Sequence, residues 1–307
     1  MSESAEKVKK TQGPQESVRS ALLGIGDDSE PARAARRVRR RIPFRAWVGG
    51  LLLAVMTLGC IVGPFLLAQG PFDQVLSDAL NPPSAGHWLG TDDLGRDLLS
   101  RLLTGGRYTV GIAVAATTLG MVFGGILGVL AGYRRGVTEV IIMRAVDTML
   151  VFPDVLIAFV VVAILGAGTS SVTYAMIVYS IPIFARFAFG STIAVMSREY
   201  IEATKSRGAS DMRLIFRHVI PNILPEMVII WTLRLGIVAF LVSGLSFLGL
   251  GVQPPIPEWG AMLSQGQVFM QTNPALVLIP GAAITLFILA INLLGDGLRD
   301  VLDPRDS

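Results

Sequence analysis

Glu202-Ala203-Thr204-Lys205-Ser206-Arg207-Gly208, continued by Asp211 to His218 and closed by Val219-Ile220-Pro221, is a polar, basic island between long apolar runs. Glu202 to Arg207 favours a helix and Gly208 suits the backbone angles of a tight helix end. Asp211 to His218 then restarts a helix that Pro221 is expected to terminate. A short second helix is thereby held at an angle to the first. Arg207, Arg213 and Arg217 give it a basic surface able to meet acidic residues, while Leu214, Ile215 and Val219 offer an apolar ridge for a groove. A chain that only crosses a bilayer does not need such an island. A pore driven by a separate motor needs one rigid element to receive the motor's movement.

The surroundings fix the class. Of 307 residues, 52% are hydrophobic and 16% charged, and the mean hydropathy is +0.60. These values are too apolar for a soluble domain and define an integral membrane protein. The 33 glycines agree, because glycine lets membrane helices approach closely. Cys60 is the only cysteine and His87 and His218 the only histidines, so neither an intramolecular disulfide nor a Cys/His metal centre is expected. No Gly-x-x-x-x-Gly-Lys-Ser/Thr loop is present to cradle ATP phosphates, so no catalytic residues, cofactor or metal are assigned to this chain and its energy must come from elsewhere. Nucleic-acid binding is not expected of a chain anchored in this way.

A helix needs about 20 apolar residues to cross a hydrocarbon core. Trp47 to Ala68, Tyr108 to Tyr133 and Ala275 to Gly295 each meet that length. Val155 to Ala185 is uncharged and too long for one span, but Gly166-Ala167-Gly168-Thr169-Ser170-Ser171 reads as a turn dividing it into two helices, the first beginning near Arg144. Met227 to Gly251, interrupted only by Arg234, completes a set of about six. Lys and Arg mark the cytoplasmic side, and Arg33, Arg36, Arg37, Arg39, Arg40, Arg41 and Arg45 place the N-terminus there. Threading six spans then puts Arg134-Arg135, the basic island and Arg299 on the same side, so both termini are cytoplasmic.

The expected organisation is a disordered, basic tail over 1–45, a first span with an extracytoplasmic segment over 46–106, and a five-helix core over 107–300 carrying the cytoplasmic loop 198–224. A short tail, 301–307, follows. The arginine cluster reads either as a topology signal or as a site for anionic membrane lipid, each charge contributing on the order of 1 kcal/mol near the surface. Gly120, Gly124, Gly128 and Gly132 lie along one helix face and suit close packing by a neighbour.

Charges in the membrane zone are costly and face protein or water. Arg144, Asp147, Asp154 and Arg234 are the cases here. Arg144 and Asp147 stand three apart and suit a pair, with Pro153 bending the helix beyond them. Asp147, Asp154 and Arg234 are candidates either for the translocation pathway or for internal bundle charges. Two outer segments are more elaborate than a connector requires. The first holds Trp88 and a polar turn through Asp92, Arg96 and Asp97, followed by the stripe Leu98, Leu99, Leu102 and Leu103, which suits a helix at the membrane interface. In the second, Pro254, Pro255 and Pro257 stiffen a loop before Glu258-Trp259-Gly260 and a short polar helix. Asp92, Arg96, Asp97, Glu258 and Trp259 are candidates for contact with an extracytoplasmic partner, the alternative being a simple cap on the bundle.

The Glu-Ala-x-x-x-x-Gly spacing with its His-Val-Ile-Pro ending resembles the loop of ABC importer permeases that forms the coupling helix. Further segments point to one branch: His87-Trp88-Leu89-Gly90-Thr91-Asp92 with Gly95-Arg96-Asp97, Asp147 with Phe152-Pro153, Gly249 to Pro255 with Glu258 to Met262, and Asn292 to Asp300. Together they resemble the C-type permeases of dipeptide, oligopeptide and nickel importers, over nearly all of the chain beyond residue 40. Thr204 departs from the pattern, standing where the family has a second alanine. The resemblance implies an all-α, type I ABC importer permease in the inner membrane of a prokaryote, forming half of a pore with a homologous B-type permease. Two ATPase subunits using ATP and magnesium, and an extracytoplasmic binding protein delivering a peptide, would complete the assembly. Glu202, Ala203, Gly208, Asp211, Arg213, Arg217, His218 and Pro221 would couple to the ATPases. Nickel, glutathione or another small solute remains the alternative cargo, and an ATP-independent secondary transporter the competing class.

Overall fold

Phe44–Leu66 (α1) carries no charged residue after Arg45, and of its residues only Ala46, Gly49 and Cys60 are buried. Pro64 lies inside it and has no N–H, which leaves the Cys60 carbonyl four residues back without its helical donor. Arg107 supplies the replacement: its Nε donates to Cys60 O at 2.7 Å, its Nη2 donates to Ile61 O, and its guanidinium lies 4.7 Å from the Phe65 ring centroid. Arg107 therefore straps α1 to the next helix.

The computed structural model describes residues 43–302. The tails and the cluster Arg33 to Arg41 lie outside the described residues, as does the side chain of Asp154. Among the described residues the chain is helical, with a single isolated bridge between Thr91 and Asp97.

Leu98–Arg134 (α2) is one helix of 37 residues, begun by Asp97, whose carboxylate accepts from Ser100 N at 2.7 Å. The leucine stripe is thus the first turns of a spanning helix rather than a separate interfacial one. Gly105 and Gly106 do not break it because neighbours press against that backbone: a Cβ on Gly106 would stand 2.3 Å from Cys60 Sγ and 2.7 Å from Trp259. Further along, the glycine ladder receives Thr169–Met196 (α5). A Cβ would meet Ser180 Cβ at 2.3 Å from Gly120, Ile181 O at 2.4 Å from Gly124, and Ala185 O at 2.3 Å from Gly128. Water-driven burial is absent between helices in lipid, so this close backbone fit is what holds the pair.

The expected third span is broken. Val137–Val151 (α3) and Asp154–Leu165 (α4) meet at 96°. Pro153 is the cause, since the residue before a proline leaves the helical region, and Phe152 is extended at φ −74° and ψ 141°. Five helices are long and apolar enough to cross a membrane, and six spans result if the bent pair is one.

Glu199–Ser206 (α6), Asp211–Leu214 (α7) and Ile220–Phe247 (α8) form and follow the island, and Trp259–Gly266 (α9) and Ala275–Leu302 (α10) complete the described chain. Pro221 does not terminate a helix. It sits in the first turn of α8, where a missing N–H costs little, directly after a wide π turn over Ile215–Val219 that makes room for the ring. Residues Asp211–Phe247 consequently run as one 37-residue helical rod. Ala113, Ala175, Met176, Val238 and Phe287 centre the main core, and Phe184, Ile201, Val219, Ile223 and Met227 centre a second one behind the island.

Candidate functional site

The island is displayed on the bundle's basic end. Glu202, Ala203, Gly208, Asp211, Arg213, Arg217 and Pro221 are exposed, and His218 is half-buried. Gly208 turns the chain between α6 and α7 with φ +79°. Its N–H donates to Lys205 O at 2.9 Å, and Ala209 N donates to Thr204 O at 3.4 Å. Nothing lies within 4 Å of where its Cβ would be, so backbone conformation rather than space selects glycine there.

The turn is held by its flanks. Ile201, Leu214 and Val219 are buried at 1%, 0% and 0% exposure. Leu214 and Val219 are therefore inward pins, not an outward ridge, because each faces the bundle once the helix continues into α8. The apolar side chains displayed instead are Met212 at 63% and Phe216 at 61%. Tyr133 Oη, at the end of α2, donates to Asp211 Oδ1 at 2.6 Å. Asn222 Nδ2 donates to His218 O at 2.6 Å, and the Tyr200 and His218 rings lie 6.1 Å apart. The result is a basic tip with two apolar studs, rigidly continuous with α8.

The membrane-zone charges have other partners than sequence spacing proposes. Asp147 pairs with Arg186 on α5 rather than with Arg144. The helix turns Arg144 outward, and its carbonyl accepts from Thr148 Oγ1 at 2.8 Å. Arg234 is half-buried midway along α8, and its Nη1 donates to Tyr179 Oη at 3.1 Å. Glu226 accepts from Ser191 Oγ at 2.5 Å, close to the island. Arg186 and Glu226 sit just past the ends of the uncharged runs, which is why a search for charges inside those runs passes over them.

At the opposite end the outer segments close into a clasp. Asp92 accepts from Leu94 N at 2.9 Å, from Arg96 N at 3.0 Å and from Arg96 Nε at 2.7 Å, with Arg101 Nε at 3.2 Å. Arg101 reaches on to Pro71 O and Gln265 Oε1 at 3.2 and 3.3 Å, and His87 Nδ1 lies 2.9 Å from Asp97 Oδ2. Gly95 permits the turn with φ +72°, since a Cβ there would fall 1.9 Å from Val75 O. In the second segment, the fully buried Glu258 accepts from Thr109 Oγ1 at 2.7 Å, Ser243 Oγ at 3.3 Å and Ala261 N at 3.0 Å. Trp259 Nε1 donates to Leu102 O at 2.8 Å. Asp92, Arg96, Asp97, Glu258 and Trp259 all face inward, each at 6% exposure or less.

A spanning helical bundle that displays an exposed basic tip at one end and a buried, ion-paired clasp at the other is the construction expected of a transporter's membrane subunit. Residues 124–306 match the family described as the binding-protein-dependent transport system inner membrane component. The chain is 46% identical over 239 residues to the glutathione transport system permease GsiD of Pectobacterium atrosepticum, covering 78% of each chain. It is 40% identical over 260 residues to the dipeptide transport system permease DppC of Alkalihalophilus pseudofirmus, covering 85% of this chain and 86% of that one. Among solved structures, the inward-facing MetNI methionine ABC transporter shares the fold at a TM-score of 0.56 with 18% identity, over 66% of this chain and 96% of that one. The chain belongs to the binding-protein-dependent inner membrane permease family: it is a multi-pass permease subunit of an importer.

Proposed function

We propose that this chain forms half of the pore of an ATP-driven importer for di- or oligopeptides, glutathione included, and that residues 198–224 receive the motion of the ATPase subunits. The observation that carries this reading is the unbroken rod from Asp211 to Phe247. Its first turn is the exposed basic tip, so displacement of that tip moves α8 without a flexible joint. The bond from Tyr133 to Asp211 passes the same displacement to the end of α2. Glu202, Ala203, Gly208, Asp211, Arg213, Arg217, His218 and Pro221 remain the coupling set, to which Met212 and Phe216 are added as the apolar contacts.

The orientation follows from charge. Arg45, Arg134, Arg135, the island and Arg299 share the cytoplasmic side only if the bent pair α3–α4 is one crossing. The importer then comprises this chain, a homologous permease, two ATPases that hold ATP and magnesium, and an outer binding protein, in a prokaryotic inner membrane. The clasp segments are the part of this chain facing the binding protein. Asp92, Arg96, Asp97, Glu258 and Trp259 would shape that face from beneath, with exposed neighbours such as Trp88 making contact. Peptide or glutathione cargo is favoured over nickel by the relatives named above.

Gentle purification of the tagged chain from its native membrane, followed by mass spectrometry, tests the assembly. Recovery of a second permease and P-loop ATPases is the expected outcome, and recovery of the chain only as a homo-oligomer overturns it in favour of secondary transport.

A further inference from the structure

Arg234 stands 14 residues after the start of α8 and 13 before its end, which places its cation at the depth where a charge is most costly in a bilayer. Its surroundings on α8 show which way it looks. Ile230, Arg234, Ile237, Leu241 and Gly244 recur at helical spacing on α8 and are exposed or only partly covered by this chain, with Phe240 exposed beside them and Leu248 just past the helix end. The opposite strip, through Leu235, Val238, Ala239 and Val242, is buried. A guanidinium on an uncovered mid-membrane strip does not face lipid, so it faces water in the pathway or another protein chain.

Its bonding is incomplete. Arg234 Nη1 donates to Tyr179 Oη, and among the described residues no carboxylate lies within ion-pair distance of Arg234, in contrast to Arg96, Arg101 and Arg186. A guanidinium carries five N–H donors arranged to grip a carboxylate in two places. About two turns further along α8, a cavity of about 150 Å³ opens among Met176, Phe240, Leu241 and Gly244, with apolar walls. No Cβ neighbour lies within 4 Å of Gly244, so the strip is open there. Arg234 does not itself line this recess, which α4 closes with Val155 and Ala158, so a solute that engages both has a carboxylate at one end and an extended apolar or neutral body reaching about 10 Å along α8.

We infer that Arg234, oriented by Tyr179, is a selectivity residue of the permease that engages the carboxylate of the solute during passage. This rests on the importer reading above and names the chemical class of its cargo: an organic carboxylate, such as a peptide's free C-terminus.

The test uses the complete transporter in proteoliposomes with its own binding protein, and compares uptake of dialanine with that of its C-terminal amide, and separately of glutathione. Arg234→Gln is expected to cut dialanine uptake roughly ten- to hundredfold, the worth of a lost charge-assisted bond, while amide uptake falls about twofold at most. Arg234→Lys should restore part of the discrimination, and Tyr179→Phe should narrow it while leaving the charge. The binding protein is the same throughout, so a change in the acid-to-amide ratio belongs to the permease. An equal loss of acid and amide uptake, or an unchanged ratio, overturns the assignment. So does loss of the second permease from purified Arg234→Gln complexes, which would make Arg234 an inter-subunit partner. If the unaltered transporter takes up neither dipeptide nor glutathione, although another solute stimulates its ATP hydrolysis, the peptide reading fails at its root.

Discussion

The basic island and the outer clasp are the two most polar stretches of a chain otherwise built for lipid, and they use their polarity in opposite ways. In the clasp, Asp92, Arg96, Arg101 and Asp97 are each 6% exposed or less and are tied to one another or to backbone. In the island, Arg213, Arg217 and Glu202 are exposed, while Ile201, Leu214, Val219 and Ile223 reach inward. A buried, ion-paired network fixes shape, whereas an exposed cationic tip is free to bind. The density of motif residues does not distinguish the two; burial and partner count do.

The sharpest way to break the contrast is Asp92→Ala. It takes the shared carboxylate from the buried Arg96 and Arg101, leaving Arg96 only Asp93 at 3.8 Å and Arg101 only neutral acceptors, an effect worth about 3–5 kcal/mol, and is expected to remove folded protein from the membrane, as read by immunoblot and by thermal inactivation in detergent. Alanine at Arg213, by contrast, should leave the amount of chain unaltered. Gly124→Leu comes next, because even its Cβ would lie 2.4 Å from Ile181 O. Overpacking of that kind costs about 1–3 kcal/mol and should lower the midpoint of thermal unfolding. Trp259→Phe keeps the ring against Phe287 but removes the donor to Leu102 O. A loss of about 1 kcal/mol is expected, measurable by the same unfolding assay. Smallest is the half-exposed pair Asp147 and Arg186. A double-mutant cycle to alanine should give a coupling of about 0–1 kcal/mol, and a larger value would mean that a neighbouring subunit buries the pair.

Much of this architecture is legible in the sequence because membrane physics leaves few choices. Uncharged runs of sufficient length must be helices, and glycines four apart must pack. The glycine ladder meets α5 as its spacing suggests, and the turn at Gly208 has the positive φ that glycine permits. What escaped was tertiary in origin. Pro221 reads as a stop until the π turn before it is seen to absorb the ring. Leu214 and Val219 read as outward-facing until the rod continues into α8 and turns them inward. Arg144 and Asp147 have suitable spacing, but Arg186 on another helix takes the carboxylate. Arg107 could be recognised as a strap only by knowing that α1 brings the carbonyl freed by Pro64 beside it. Local periodicity cannot register a partner supplied by a different helix.

The central claim is that the island drives the pore, and Gly208→Val tests it most directly. A β-branched residue at φ +79° is strained by at least about 1–2 kcal/mol, yet open space surrounds the position. The chain should therefore stay in the membrane while the tip changes its angle. In proteoliposomes containing the whole transporter, ATP hydrolysis should continue while uptake per ATP falls about tenfold or more, an effect of roughly 1.4 kcal/mol or greater on the coupled step. Normal uptake per ATP by that variant would contradict the assignment of residues 198–224 as the coupling element.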